Sequence, residues 1–331
     1  MVVYIFIDPI LNFLRVPEEV WGGMREYLLI IFAGLLATSL YNFFSCLLRA
    51  LGNSTVPLVF LAVSAILNIA WDLLFVAVFH WGIAGAAYAT IFAQYVSGIG
   101  ILLYVLFRCR SLLPERKDLR FDGEILKEIA GLSSLTCLQQ SVMNFGILMV
   151  QGLVNSFGAT TMAAFAAAVK IDTFAYLPVQ DFGNAYSTFV AQNYGAGNKE
   201  RIRRGTKESF AISTAFSLVI SALVFAFAAP LMQIFVSSAE TAVIASGVRY
   251  LRIEGAFYFG IGCLFLLYGY YRAIKRAEMS VVLTVISLGI RVLLAYVLSA
   301  TFLGETGIWM AIPIGWILAD LTGLLYMRKT W

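Results

Sequence analysis

Asn68 and Asp72 stand four residues apart inside NSTVPLVFLAVSAILNIAWDLLFVAVFHWG (53–82), a run otherwise suited to lipid. A carboxylate within a membrane-spanning helix is expensive, and acids kept there characteristically face a cavity and mark an ion or proton path. Residues i and i+4 share one helix face, so the amide and the acid point the same way. At ~1.5 Å rise per residue, Asp72 lies roughly 10 Å below the end of its helix near Phe79, and Thr90 lies roughly 12 Å into the next helix. Tyr27, counted from a start near Gly22, is at roughly 8 Å. A carboxylate, an amide, a hydroxyl and a phenol at one level can bind a proton or offer oxygens to Na+. The alternative is that Asp72 pairs with Arg25 or with a neighbouring dipole near the interface.

A second set of polar residues interrupts AAAVKIDTFAYLPVQDFGNAYSTF (166–189): Lys170, Asp172, Gln180 and Asp181. Pro178 can kink this helix, and FGNA permits close helix packing. These residues either line a central cavity, with Lys170 near Gln139 and Gln140 of SLTCLQQSVMN (134–144), or form a buried Lys170–Asp172 pair that stabilises the C-terminal half. Arg291 is likewise either cavity-lining or paired with Asp320.

The elements that must position these groups are membrane helices. Of 331 residues, 61% are hydrophobic and 13% charged, with a mean hydropathy of +0.86; soluble domains carry ~25% charged residues. Apolar stretches longer than the ~20 residues needed to cross a bilayer recur along the chain. They predict spanning helices over 22–50, 55–79, 82–107, 124–155, 159–194, 205–236, 240–273, 277–302 and 305–328, preceded by an apolar stub over 1–14 without the basic start and cleavage site of a signal peptide. Lys and Arg concentrate on alternate connections: Arg49, RCRSLLPERKDLR (108–120), NKERIRRGTK (198–207), RAIKR (272–276) and RK (328–329). Cytoplasmic loops retain positive charge, which puts Arg49 and the C-terminus inside and His80 outside. The basic loops read as a topology signal, with no nucleic-acid partner.

Cys46, Cys109, Cys137 and Cys263 lie in or beside apolar segments with no CxxC spacing, and His80 is the single histidine. The expectation is free thiols and no resident metal or cofactor. QNYGAGNKERIRR lacks the GxxxxGK[ST] pattern, so no ATP site is expected. Paired catalytic acids, HExxH and GxSxG are also missing, which argues against an intramembrane enzyme.

Sliding the chain against itself by 223 residues aligns Tyr27 with Tyr250, Leu28 with Leu251, Ile30 with Ile253, Ala33 with Ala256, Arg49 with Arg272, Ala50 with Ala273, Val59 with Val282 and Ser64 with Ser287. Duplicated halves that hold substrate and ions between them are a mark of secondary transporters. The second copy has a front end, from Glu124 to about Leu223, without a counterpart in the first. The offset therefore puts the expected start of the first copy roughly 100 residues before Met1 and predicts two six-helix lobes in an intact protein, the first incomplete here. On this division 1–108 is a partial first lobe, 109–123 a cytoplasmic linker and 124–331 a complete second lobe. Position 68 aligns with Arg291 and position 72 with Ala295, so the acid is not part of the duplicated scaffold.

With LLRALGNSTVPL (47–58), LNIAWDLLF (67–75), WGIAGAAYATIFAQ (81–94) and VAQNYGAGNKERIRRG (190–205), the chain resembles the multidrug and toxic compound extrusion (MATE) family. The resemblance implies an all-α polytopic membrane protein of two pseudo-symmetric lobes. It implies a monomer in a bacterial-type inner membrane that exports amphipathic, often cationic drugs in exchange for Na+ or H+ by alternating access. It also places Tyr27, Asn68, Asp72 and Thr90 in a cation-coupling cluster. The family's further aspartate, on the first helix, has no counterpart in this sequence. In another branch, coupling uses acids in the first and fourth helices of the second lobe. Here the first of these has Gln139 and Gln140, and the fourth has only Glu254, read as lying near its outer end, so the first-lobe mode is favoured. Two other readings are a lipid-linked oligosaccharide flippase of the same superfamily and an inactive remnant of a split gene. More cationic residues in the cavity than Lys170 and Arg291 would favour the flippase.

Overall fold

The computed structural model describes residues 2–13, 18–110 and 121–330. The chain is helical almost throughout, and it divides into two compact units, 1–121 and 122–331. Residues 111–120 of the expected linker, and Leu14 at the end of the expected stub, lie outside the described residues.

In the first unit α1 (Val2–Phe13), α2 (Glu18–Ala33) and α3 (Leu35–Ala50) are followed by α4 (Thr55–Asp72) and α5 (Gly82–Arg108). Helix α4 runs on as a π-helical turn, Leu73–Val78, beginning directly after Asp72. In the second unit come α6 (Gly123–Asn155), α7 (Ala159–Gly195), α8 (Lys199–Gln233), α9 (Thr241–Gly255), α10 (Tyr258–Ala273), α11 (Ala277–Thr284), α12 (Ile290–Ser299) and α13 (Glu305–Thr330). A second π-helical turn, Val285–Gly289, joins α11 to α12 and ends two residues before Arg291. Among the described residues eight helices are long and apolar enough to cross a membrane, and α9 with α10, bent by 51° to each other, pass the same test only as a pair, which makes nine if the pair is one span.

These elements match the hydropathy reading, with two differences. NKERIRR is not a connection ahead of a helix that begins at 205: α8 starts at Lys199, because Asn198 accepts a hydrogen bond from the Arg201 amide at 3.0 Å and caps it. The span over 240–273 is also not straight. It breaks at Ala256 and Phe257, whereas the aligned stretch of the first unit, interrupted only at Gly34 between α2 and α3, runs on as one span, Val20–Ala50. One detail does repeat. Arg49 Nε donates to the Ser45 carbonyl at 3.3 Å, and its aligned partner Arg272 donates to the Tyr268 carbonyl, also at 3.3 Å.

The second unit is held by a large apolar core along α7, α8, α9, α10 and α13. Trp309 is fully buried; it stacks on Phe165 at 5.4 Å and meets Tyr250 edge-on at 4.9 Å. Helices α7 and α10 cross backbone to backbone, as FGNA suggested. A Cβ on Gly269 would lie 2.6 Å from the Gly183 carbonyl oxygen, and one on Gly183 would lie 2.9 Å from that of Phe265. At the other end of α7, Glu305 at the start of α13 accepts from Thr161 (2.8 Å), Ser246 (3.1 Å) and Arg249 (3.3 Å), tying α7, α9 and α13 together. The four cysteines are free thiols.

Candidate functional site

Tyr250, Glu254 and Tyr258 recur every four residues, a spacing that places them on one face of the bent span α9/α10. Helix α7 packs against that face and brings Asp172 to it. Asp172 and Glu254 are each only 6% exposed. The Tyr258 hydroxyl donates to Asp172 Oδ1, and the Tyr250 hydroxyl interacts with both carboxylates. Arg291, half-buried on α12, attracts both acids.

The valences of this cluster are incompletely filled. Asp172 Oδ2, Glu254 Oε2 and Arg291 Nε are all buried and have no hydrogen-bond partner. When both acids are ionised, two negative charges face one guanidinium, which leaves one negative charge uncompensated. A buried uncompensated charge costs several kcal/mol. One proton shared between the carboxylates, or one small cation on their free oxygens, removes that cost, so the cluster can act as a receptor for a single positive charge. Glu254 therefore does not lie near the outer end of its helix, and the second unit does not lack a pair of acids. The bend at Ala256 and Phe257 puts Glu254 inside the unit, opposite an acid 82 positions earlier on α7. The Tyr-x3-Glu-x3-Tyr stripe was the signal in the sequence that marked it.

The other predicted residues separate into distinct surroundings. Asp72 is half-buried at the junction of α4 with its π turn, and Asp72 Oδ1 and Asn68 Nδ2 are both buried without a partner. It does not pair with Arg25, whose Nε donates instead to Asp8 Oδ1 at 2.7 Å, a shorter reach from α2 to α1. Thr90 Oγ1 donates to the Ala86 carbonyl at 3.0 Å, and Tyr27 is half-buried. Among the described residues no hydrogen bond or ion pair joins Tyr27, Asn68, Asp72 and Thr90 to one another.

Lys170 and Asp172 do not form a buried pair: two residues apart on one helix, they point to different sides, with Asp172 buried and Lys170 exposed over the Phe235 ring at 5.7 Å. The surroundings of Lys170 are those of α7 and the α8–α9 connection, not Gln139 and Gln140. Gln139 is buried on α6, Gln140 is exposed and Gln180 is half-buried. Among the described residues no ion pair joins Arg291 to Asp320. The Asp320 carboxyl instead meets the Cys263 thiol, across α10 and α13.

The family model MatE matches residues 1–74 and 135–297 of the chain. The chain is 33% identical over 322 residues to a probable multidrug resistance protein, YpnP, of Bacillus subtilis, covering 96% of this chain and 71% of that one. It is 27% identical to the probable multidrug resistance protein NorM of Thermotoga maritima (96% and 70% covered). It is also 25% identical to a FAD transporter of Shewanella oneidensis (94% and 69% covered). Among solved structures, a mutant of the Vibrio cholerae MATE transporter VcmN superposes with a TM-score of 0.92 over 99% of this chain and 74% of that one, at 24% identity, a likeness of fold.

Proposed function

The chain belongs to the MatE family of multidrug transporters, a multi-pass membrane protein and not an enzyme, and on that premise we propose that it exports amphipathic small molecules in exchange for Na+ or H+. The single observation that carries the coupling is the buried Asp172–Glu254 pair with one attendant guanidinium, whose charge balance requires one monovalent cation or proton. Binding that charge at the pair and releasing it would tie export to an ion gradient, with no resident cofactor and no ATP. The concentration of Lys and Arg on alternate connections supports a cytoplasmic side for Arg49 and the C-terminus.

Coupling at Asp72, with Asn68, Tyr27 and Thr90, is the second reading. It is favoured by the unpartnered Asp72 Oδ1 and Asn68 Nδ2 in the first unit. One carboxylate with an amide offers a weaker charge switch than two carboxylates, because there is no second acid to change its proton affinity. Lipid-linked oligosaccharide flipping is less well supported, because it calls for a larger set of cationic residues in the cavity than Lys170 and Arg291.

The test is dye export from vesicles carrying the full chain, driven by an imposed Na+ or H+ gradient. Glu254→Gln should abolish gradient-driven export, and Asp72→Asn should leave most of it. Undiminished export by Glu254→Gln, with loss in Asp72→Asn, would move the coupling site to the first unit.

A further inference from the structure

Lys170 and Glu240 line one groove of about 520 Å³ on the second unit, together with Phe235, Thr160, Ala163 and Ala167. The volume is that of a small-molecule site, for which about 300–1,000 Å³ is usual. Ala163, Ala167 and Lys170 follow helical spacing along one face of α7, which gives an apolar floor of small side chains that ends in a cation. Lys170 is the twelfth residue of α7, about 17 Å along the helix, and its ammonium lies over the Phe235 ring of the α8–α9 connection, 5.7 Å from the centroid. Glu240 stands at the start of α9, across the groove. Among the described residues neither charge has an ion-pair partner, and they do not pair with each other.

Two opposite charges that share an apolar groove without meeting are complementary to a ligand that carries both. We propose that this groove binds a zwitterionic amphiphile, its anionic group at the Lys170 ammonium, its cationic group at Glu240, and its flat apolar body over the alanines and the Phe235 ring. A purely cationic amphiphile meets Lys170, and a purely anionic one meets Glu240, each at a like-charge cost. The ligand is either a soluble zwitterion or the headgroup of a zwitterionic lipid such as phosphatidylethanolamine. The proposal rests on the export reading only for its consequence, that the exported compounds include zwitterions.

Binding can be read without any gradient, by fluorescence anisotropy of the purified full chain in maltoside detergent. Rhodamine B is a zwitterion, and its ethyl ester is the same dye with the carboxylate masked. The wild type should bind rhodamine B about ten-fold more tightly than the ester, a difference of about 1.4 kcal/mol. Lys170→Gln should remove that preference, Lys170→Arg should keep it, and Glu240→Gln should weaken both dyes. Added phosphatidylethanolamine that displaces the dye identifies a lipid headgroup as the ligand; failure to displace it identifies a soluble zwitterion. Equal affinity for the two dyes, or a preference that survives Lys170→Gln, overturns the proposal. Undiminished gradient-driven export in Glu254→Gln with the binding preference intact would count against the coupling site alone.

Discussion

Placing one methyl group at Gly269 should loosen the second unit measurably. The added Cβ would lie 2.6 Å from the Gly183 carbonyl oxygen and 3.3 Å from Ser187 Cβ. The first neighbour is backbone and cannot rotate aside. Restoring an ordinary contact of 3.4 Å requires α7 and α10 to separate by about 0.8 Å at the crossing. That separation strips dispersion contacts from an interface that also carries the Tyr258–Asp172 hydrogen bond about 16 Å along α10. Overpacking of this kind costs typically 1–3 kcal/mol, or roughly 2–4 °C of Tm per kcal/mol for a unit of this size. The control is Gly152→Ala on α6, where an added Cβ meets nothing within 4 Å. There the loss of backbone freedom in the unfolded chain should stabilise by about 0.5–1 kcal/mol. Thermal unfolding of the purified protein in detergent reads both. If Gly269→Ala unfolds no earlier than the wild type, or if the two variants shift Tm equally, α7 and α10 do not cross backbone to backbone.

Tyr258→Phe removes the hydroxyl that donates to Asp172 Oδ1 and leaves that buried acid to the Tyr250 hydroxyl, at a cost of about 1–3 kcal/mol; Tm should fall and gradient-driven export should slow together. Tyr271→Phe removes a comparable buried bond, to the Gly323 carbonyl at 2.6 Å, and should lower Tm while leaving coupling unchanged. Glu305→Gln weakens the node that receives Thr161, Ser246 and Arg249, and limited proteolysis should detect earlier opening of the 300–304 connection.

The spans were legible because lipid leaves little freedom: a helix that satisfies its own backbone must be apolar for about 20 residues, and the charged connections mark its ends. What was not legible was the bend between α9 and α10. RIEGAFYFG contains no proline, and a straight helix is the default for such a run, so nothing local marked the turn that follows Glu254. The meeting of Asp172 with Glu254 was equally hidden, because two helices 82 residues apart are brought together by packing at Gly183 and Gly269 and by no local pattern. Lys170 and Asp172 show the reverse error. Adjacent charges on one helix suggested a pair, although residues i and i+2 do not face each other.

The 51° bend of α9 and α10 sets the two copies apart. At the offset of 223, Tyr250, Glu254 and Tyr258 correspond to Tyr27, Ile31 and Leu35. Both copies therefore keep one phenol, while only the second turns at this point and puts a carboxylate beside it. Ile31 is the position at which the same helix face of the first copy carries a methyl-branched side chain in place of an acid, so the two halves share a scaffold without sharing a charge.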